Sequence, residues 1–235
     1  MRKKRGYTRD IPKELVRDYR LFAIACEGSK TEPTYFGLFR HMSNRIAVDI
    51  IGEIVSDEEM LTKLSDKSAP KWVLDRAVKY IEKEGLSKED SLWFVIDVDK
   101  WKFDQIKEIA DYCDQNSNWN IVLSNPCFEI WLHFHSQQQK LNEKISCKQL
   151  KNLISNFDKG GYVASKFIPH LRNAVLNAKN ADSNINFFFP SENETKVYQL
   201  GEAILTIIGS HFEEFINNVL PRLLNNNRSQ RTKRK

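Results

Sequence analysis

Three acidic residues close behind apolar segments could together bind a metal ion. Glu27 follows the apolar run Leu21 to Ala25, and Asp97 and Asp99 follow the run Leu92 to Ile96. Two aspartates separated by one residue at a strand end can point towards one ion from adjacent positions. Carboxylates crowded in this way repel each other unless a cation neutralises them, and Mg²⁺ prefers oxygen ligands. These residues therefore predict a Mg²⁺ site, which could also take Mn²⁺.

The segment around Glu27 has the pattern of a strand, a tight turn and a helix. Leu21 to Ala25 shows no polar alternation, which is typical of a strand buried on both faces of a parallel sheet. Gly28 allows a sharp turn, and Pro33 suits the first turn of a helix. Glu27 is therefore expected at the carboxyl end of a strand, where open α/β sheets bind their ligands.

The remaining elements alternate in the same way up to about residue 138. Apolar segments predict strands at 21–25, 48–55, 91–98 and 119–123. Between and after them, amphipathic patterns predict helices at 33–45, 69–84, 103–113 and 128–137. Beyond the polar segment that starts near residue 138, the pattern predicts only helices, at 147–156, 169–180 and 197–224, with a possible break near Ser210. This order indicates an α/β fold with a doubly wound, mainly parallel sheet.

Three segments of the chain resemble the RloB-like family. They are CEGSKTEPTYF (26–36), VIDVDK (95–100) and SNPCFEIWLHFH (124–135), and the last is the most specific. The family comprises Toprim-related proteins from bacterial restriction and anti-phage loci, often encoded beside an ATPase. The resemblance extends from about Arg2 to about Tyr198. It implies a Toprim-like metal site in which Glu27 is the first-strand acid, Asp97 and Asp99 are the paired aspartates, and Glu129 occupies a further acidic position.

With this resemblance, the chain divides into four expected regions. Residues 1–20 form a basic N-terminal arm, and residues 21–138 form a Toprim-like α/β metal-binding core. Residues 139–225 form a C-terminal helical extension, and residues 226–235 form a basic disordered tail.

Lys100 and Glu32 are further catalytic candidates, each with a simpler explanation. Lys100 directly follows the paired aspartates and could contact the scissile phosphate, or it could be a solvated lysine. Glu32 lies in the first turn of a predicted helix, where the helix dipole favours an acid in any case. Glu129 has the same ambiguity, since helix capping explains it as well as metal binding does. His133 and His135 do not face each other on a helix, so we interpret them as non-ligands.

Phosphate or nucleic-acid binding is expected at three more positions within the core and extension. Lys30 lies between a strand end and a helix N-terminus, a natural phosphate site, although it could be a solvated loop residue. Asn125 precedes a proline, so it could be a turn residue, whereas the family resemblance puts it at the edge of the site. Lys166 follows Gly160-Gly161-Tyr162, and it could contact the substrate or belong to a helix start.

The charge distribution suggests a polyanionic partner. The net charge is +5, but residues 1–9 and 226–235 each carry five basic residues and no acid, which leaves −5 for residues 10–225. Basic arms on an acidic body suit a nucleic acid held by the arms and cut at a metal site. The alternative is two disordered, solubilising tails. The N-terminal residues expected to bind nucleic acid are Arg2, Lys3, Lys4 and Arg5.

Composition also bears on the compartment. No apolar run approaches the roughly 18–20 residues that span a bilayer, so no membrane partner is expected. The basic N-terminus lacks the apolar segment of a signal peptide. The four cysteines form no C-x-x-C pair, which indicates reduced thiols in a cytoplasmic protein.

The acids and the basic arms predict a Mg²⁺-dependent nuclease acting on DNA or RNA, and the family resemblance implies that it is of the Toprim type and acts in anti-phage defence with an ATPase partner. Two alternatives stay open. In one, the chain is a non-catalytic nucleic-acid-binding or ATPase-regulating subunit whose acids bind Mg²⁺ structurally. In the other, the D-x-D aspartates bind a metal–nucleotide-sugar in a transferase, although Glu27 and the basic arms have no role there.

Overall fold

In a computed structural model, which describes residues 18–52, 70–157 and 162–225, a five-stranded sheet forms the centre of the protein. The strands are β1 (Arg20–Cys26), β2 (Ile46–Ile51), β3 (Ser91–Asp97), β4 (Trp119–Asn125) and β5 (Glu194–Thr195). Their spatial order is β2-β1-β3-β4-β5. The first four are parallel, and β5 runs antiparallel to β4. The expected α/β fold with a mainly parallel sheet is therefore confirmed.

Helices follow most strands, and helical structure continues to residue 225. They are α1 (Thr31–Gly37), α2 (Pro70–Glu84), α3 (Phe103–Cys113), α4 (Glu129–His133), α5 (Cys147–Phe157), α6 (Ala164–Phe167), α7 (Leu171–Ala181), α8 (Tyr198–Ile208) and α9 (His211–Glu214). Short 3₁₀ turns follow α1 (Leu38–His41) and α6 (Ile168–His170), and a π-helical turn (Phe215–Val219) follows α9. Gly85 ends α2 with a positive φ of 71°, as a C-terminal glycine commonly does.

The alternation of side chains along the strands builds two apolar cores, one on each face of the sheet. On one face, Phe22 and Ile24 pack with Trp93 and Val95 against α1, α4 and the C-terminal helices α7 and α8. On the other face, residues such as Phe94 pack against α2 and α3. Because both faces are covered, the strands read as continuous apolar runs rather than alternating ones.

Several element bounds differ from the sequence-based prediction. The second strand was expected at 48–55 but spans Ile46–Ile51, and residues 53–69 lie outside the described part. The first helix, expected at 33–45, ends at Gly37. Similarly, the helix expected at 128–137 covers only Glu129–His133. The long C-terminal helix does break near Ser210, because α8 ends before Gly209, which has a φ of 53°.

The prediction of helices alone after residue 138 was wrong at one place. Glu194 and Thr195 form β5, which pairs with Asn125 and Ser124 at the carboxyl end of β4. Two residues are too few to give a period in the sequence, and the strand forms because the Ser124 and Thr195 hydroxyl groups hydrogen-bond at 2.8 Å and the Lys196 amide donates to the Leu123 carbonyl at 2.7 Å.

A candidate acidic site at the carboxyl edge of the sheet

Four carboxyl groups converge on a cavity of about 280 Å³ at the carboxyl edge of the sheet. Glu27 follows β1 and Asp97 ends β3, and these strands are direct neighbours in parallel register. Glu32 comes from the first turn of α1, and Glu129 from the first turn of α4. The three glutamates are buried and Asp97 is half-buried. We call this group the acidic pocket.

Glu27 is held by two hydrogen bonds, one from the last residue of β3 and one from the loop that follows it. Its Oε2 accepts the backbone N–H of Asp97 at 3.0 Å, and its Oε1 accepts the indole N–H of Trp101 at 2.9 Å. Burial raises the pKa of Glu27, while these two hydrogen bonds and the charge of Lys100 oppose that rise. A carboxylate can accept about four hydrogen bonds, so lone pairs remain on both oxygens.

Glu32 lies over the backbone of Gly28. A Cβ atom at position 28 would overlap the Glu32 carboxyl group, so any other residue there would have to displace that side chain. Burial raises the pKa of Glu32 to about 7, and the nearby charges of Glu129 and Glu27 add to the rise. The conformation of the strand–turn–helix segment thus keeps a carboxyl group in a position where it is hard to ionise.

Asp97 and Glu129 complete the pocket. Burial of the Asp97 carboxyl group raises its pKa well above the usual range, and the charges of Glu32, Glu27 and Glu129 raise it further. Glu129 lies 3.8 Å from the ammonium group of Lys151, which is largely exposed. The mutual electrostatic effects of the four acids show that they share one environment, in which full ionisation is unfavourable without a cation.

Three exposed lysines line the same cavity. Lys30 and Lys100 were candidates from the sequence, and both are found there. Lys151 comes from α5, and the charge of Glu129 raises its pKa. The pocket therefore combines carboxylates inside with ammonium groups at its opening.

Asp99 lies outside the cavity lining, although its charge still raises the pKa of Glu27. Its side chain is exposed. Its Oδ2 accepts the thiol hydrogen of Cys147 at 3.1 Å. The backbone N–H groups of Val98 and Asp99 both donate to the Pro126 carbonyl at 3.1 Å, which turns the chain after β3.

The other predicted contacts lie further from the cavity. Asn125 ends β4, and its side-chain amide donates to the Pro190 carbonyl at 3.1 Å. Lys166 is an exposed residue of α6 and does not line the cavity. His135, interpreted as a non-ligand, is buried between the Trp131 carbonyl at 3.0 Å and the Tyr35 hydroxyl at 2.8 Å. The residues of the basic arm, Arg2, Lys3, Lys4 and Arg5, lie outside the described residues.

The model of the RloB-like protein family matches residues 22–204. The chain belongs to the RloB-like family. No curated protein and no solved structure matches the chain. The matched range contains all four acids of the pocket, its three lysines and strand β5. Among the described residues of this RloB-like protein, no helix is long and apolar enough to cross a membrane.

Three residues of this RloB-like site were not predicted from the sequence. Trp101 bonds Glu27, Lys151 faces Glu129, and the Arg76 guanidinium donates to the Cys26 carbonyl at 3.0 Å, one residue before Glu27. Trp101 could have been noticed, since it directly follows the D-x-D-K segment. Lys151 and Arg76 gave no signal, because only the packing of α5 and α2 brings them to this edge.

The donor chemistry of the pocket fits a hard divalent cation, because every acidic donor is a carboxylate oxygen. The crowding of like charges fits a cation as well. As the side chains stand, however, no group of three or more His, Cys, Asp or Glu residues in the described ranges is arranged to hold a metal ion. Metal binding by Glu27, Asp97, Asp99 and Glu129 therefore stays a prediction.

Proposed function

We propose that this RloB-like protein is a metal-dependent nuclease that hydrolyses phosphodiester bonds in DNA or RNA. The observation that carries the proposal is the convergence of four carboxyl groups at one sheet edge, with lysines at the opening. Carboxylate oxygens suit Mg²⁺ or Mn²⁺, and ammonium groups suit the phosphates of the substrate. A binding site for sugars would not require this combination.

The acids would have different roles in the reaction, according to their positions. Glu27, Asp97 and Glu129 would hold the metal ion, and Asp99 could join them from the rim. When bound, the cation would polarise the phosphodiester group and stabilise the leaving oxygen. Asp97 and Trp101 fix the direction of the Glu27 carboxylate through their two hydrogen bonds, so its free lone pairs need little reorganisation to act.

Glu32 and the lysines would handle protons and phosphates. With a pKa of about 7, Glu32 can hold or release a proton close to neutral pH, which suits an acid or base in hydrolysis. Lys30, Lys100 and Lys151 line the cavity and would contact the phosphate on either side of the scissile bond. Asn125 and Lys166 would contact the substrate further away.

Family membership also supports a biological setting. RloB-like proteins resemble components of bacterial restriction and anti-phage loci, often beside an ATPase. We therefore place the proposed cleavage in anti-phage defence, with the ATPase from the same locus as a regulatory partner.

The test is a cleavage assay with purified full-length chain. Substrates are tRNA, plasmid DNA and single-stranded DNA, each with Mg²⁺, with Mn²⁺ and with EDTA, and with and without the ATPase from the same locus. We expect metal-dependent cleavage by the wild type. Glu27→Gln should lower the rate by about 100-fold or more, the scale of a lost acid or base. Asp97→Ala and Asp99→Ala should abolish cleavage while the fold survives.

Glu108→Gln, an exposed acid on α3, is the matched control and should cleave normally. Wild-type rates in either aspartate variant would remove that residue from the metal site. A Mg²⁺-induced rise in the thermal midpoint without any cleavage would favour the non-catalytic subunit instead. Release of a sugar from a nucleotide-sugar would favour the transferase.

A further inference from the structure

A patch of phenylalanine rings lies exposed near the acidic pocket. Phe103 and Phe187 are 42% and 44% exposed, a large fraction for rings of this size. The Phe103 ring centroid is 5.8 Å from that of Phe188 and 5.4 Å from that of Phe189, and Phe187 is 5.3 Å from Phe188. We call these four residues the phenylalanine patch.

The loop that carries three of these rings is fixed at its base. The hydroxyl groups of Ser183 and Ser191 hydrogen-bond at 3.0 Å and close the loop. The carboxylate of Glu194, which is 1% exposed, accepts the Ser183 N–H at 3.3 Å, the Ser183 hydroxyl at 3.1 Å and the Ser191 N–H at 3.2 Å. The rings are thus presented by a defined loop.

A buried ion pair fixes the same loop from its other side. The Lys196 ammonium group lies 2.5 Å from Asp182 and donates to the Asn184 carbonyl at 2.7 Å, and both charged side chains are 1% exposed. Burying two charges is unfavourable unless both are fully bonded, and such pairs often specify one conformation rather than adding stability. A loop specified in this way that still exposes apolar rings points to a binding role.

The patch is made of two segments, the loop with Phe187 to Phe189 and the start of α3 with Phe103, and each is connected to the region of the pocket. The loop leads into β5, which pairs with the carboxyl end of β4, and the Asn125 amide bonds the loop at Pro190. On the other segment, Phe103 begins α3 two residues after Trp101, the residue that bonds Glu27. On both segments, only a few residues of chain therefore separate the patch from residues that contact or neighbour the pocket.

Aromatic rings beside a phosphate-binding site suit unpaired nucleobases. Bases stack on aromatic side chains in proteins that bind single strands, whereas the faces of paired bases are already stacked within a duplex. The exposed Lys100 and Lys102 flank Trp101 on the connection between pocket and patch, where they would contact the phosphates between the bases. Ile185, an exposed aliphatic residue of the same loop, has no ring on which a base could stack.

We propose that the phenylalanine patch stacks the unpaired bases of the substrate, so that the substrate class is a single-stranded segment of nucleic acid. This inference rests on the proposed nuclease function, and it adds that the bases next to the cleaved bond are unpaired. Phe103 and Phe187, the most exposed rings, are the stacking residues.

The experiment measures binding by fluorescence anisotropy, with full-length chain in EDTA so that no cleavage occurs. The probes are labelled strands of ~20 nucleotides: single-stranded DNA, single-stranded RNA, a blunt duplex, and an abasic strand that keeps the phosphates but has no bases. We expect the abasic strand and the duplex to bind about 5-fold to 100-fold more weakly than the single strands. Phe103→Leu/Phe187→Leu should weaken binding of the single strands by a similar factor and leave the abasic strand unchanged.

Ile185→Ala is the control on the same loop and should bind like the wild type. Equal affinity for abasic and normal strands, unchanged affinity in the double variant, or no binding of any strand would overturn the proposal. Loss of ATPase binding in the double variant, with strand affinity intact, would also overturn it and identify a protein-docking surface.

If the patch binds bases but no cleavage occurs with Mg²⁺, the nuclease proposal fails and the patch assignment stands. Circular dichroism establishes that each variant is folded.

Discussion

Two clusters of buried acids lie at the carboxyl edge of the sheet, and they differ in how their charge is balanced. At the base of the loop that carries Phe187, Phe188 and Phe189, Asp182 lies 2.5 Å from Lys196, and Glu194 lies 2.7 Å from Lys140. Burial alone would raise the pKa of Asp182, but hydrogen bonds from Lys196 and Tyr198 bring it below its ordinary value. In the acidic pocket the pKa values move the other way, upwards, for Glu27, Glu32 and Asp97.

The opposite pKa shifts in the two clusters show that the burial of acidic residues alone does not identify a functional site. A carboxylate taken out of water needs a partner of opposite charge, and each acid of the loop base has a dedicated lysine. The pocket acids instead share exposed lysines and the half-buried Arg76. The acids at the base of this loop are therefore neutralised one by one, whereas the crowded acids of the pocket are not.

Of the substitutions considered, Lys196→Met should lower the stability of the protein most, because it breaks the buried pair with Asp182. The substitution leaves the buried Asp182 carboxylate without the ammonium group that bonds it, and also removes that group from the Asn184 carbonyl. We expect the free energy of unfolding to fall by about 3–5 kcal/mol, the usual result of removing one partner from a buried pair. Urea denaturation measures the change, and Lys196→Met/Asp182→Leu should recover part of it. A loss under about 1 kcal/mol would mean that the pair is not buried in solution.

The pH dependence of stability should reveal Glu32. Its pKa in the folded protein is about 7, above the ordinary 4.5, so the folded state holds the proton more tightly than the unfolded chain does. The stabilisation is complete below pH 4.5, falls as the pH rises towards 7 and is lost above it, with a limit of about 3 kcal/mol.

The measurement is the difference in unfolding free energy between wild type and Glu32→Gln, in metal-free buffer at several pH values. A comparison with the variant is needed because burial lowers the pKa of His135 to about 3, and that residue titrates with the opposite sign in both proteins. We expect wild type to lose stability relative to the variant between pH 4.5 and 7. A difference that does not change with pH would contradict the assignment.

Replacing an aspartate by asparagine should change the stability in opposite directions in the two clusters. Asp182→Asn removes a charge that Lys196 and Tyr198 bond, so we expect a loss of about 2 kcal/mol, typical of hydrogen bonds to charged groups. Asp97→Asn removes a charge that its neighbours oppose, so metal-free stability should rise by about 1 kcal/mol. Thermal or urea unfolding of both variants tests this, and equal signs would remove the distinction between the clusters.

The exposed ion pair between Lys144 and Glu192 should contribute least to the stability of the protein. Lys144 and Glu192 lie 2.6 Å apart, but their side chains are 82% and 55% exposed. Lys144→Ala is therefore expected to change the unfolding free energy by less than about 1 kcal/mol, since water and salt screen exposed pairs. Comparison with Lys196→Met under identical conditions separates burial from proximity. A loss as large as that of Lys196→Met would show that proximity alone decides.

Much of the fold, and part of the site, could be predicted from the sequence. The apolar runs of β1 and β3 gave the strands directly, and parallel strands bring their carboxyl ends to one edge, which placed Glu27 and Asp97 together. Glu32 and Glu129 were harder, because each has an ordinary reason to start a helix. Only the packing of α1 and α4 on the sheet turns both into the pocket.

The position of Asp99 could not be predicted from the spacing of the aspartates. A spacing of two puts residues on the same side of a strand, but β3 ends at Asp97. Beyond that point the Pro126 carbonyl, on the loop after β4, accepts the N–H groups of Val98 and Asp99. A contact between two loops that are distant in sequence leaves no local signal, and it places Asp99 beside Cys147 rather than in the pocket.

The late position of α5 in the chain has a consequence for the order in which the protein is made. Lys151 of α5 lines the pocket, and the Tyr162 hydroxyl donates to the carbonyl of Thr31, another lining residue, at 3.2 Å. A ribosome-bound chain that has reached residue 140 therefore contains β1 to β4 and all four pocket acids, but one face of its sheet still lacks α7 and α8. Because bare apolar faces aggregate, synthesis of the second half is the step that both protects the sheet and encloses the pocket.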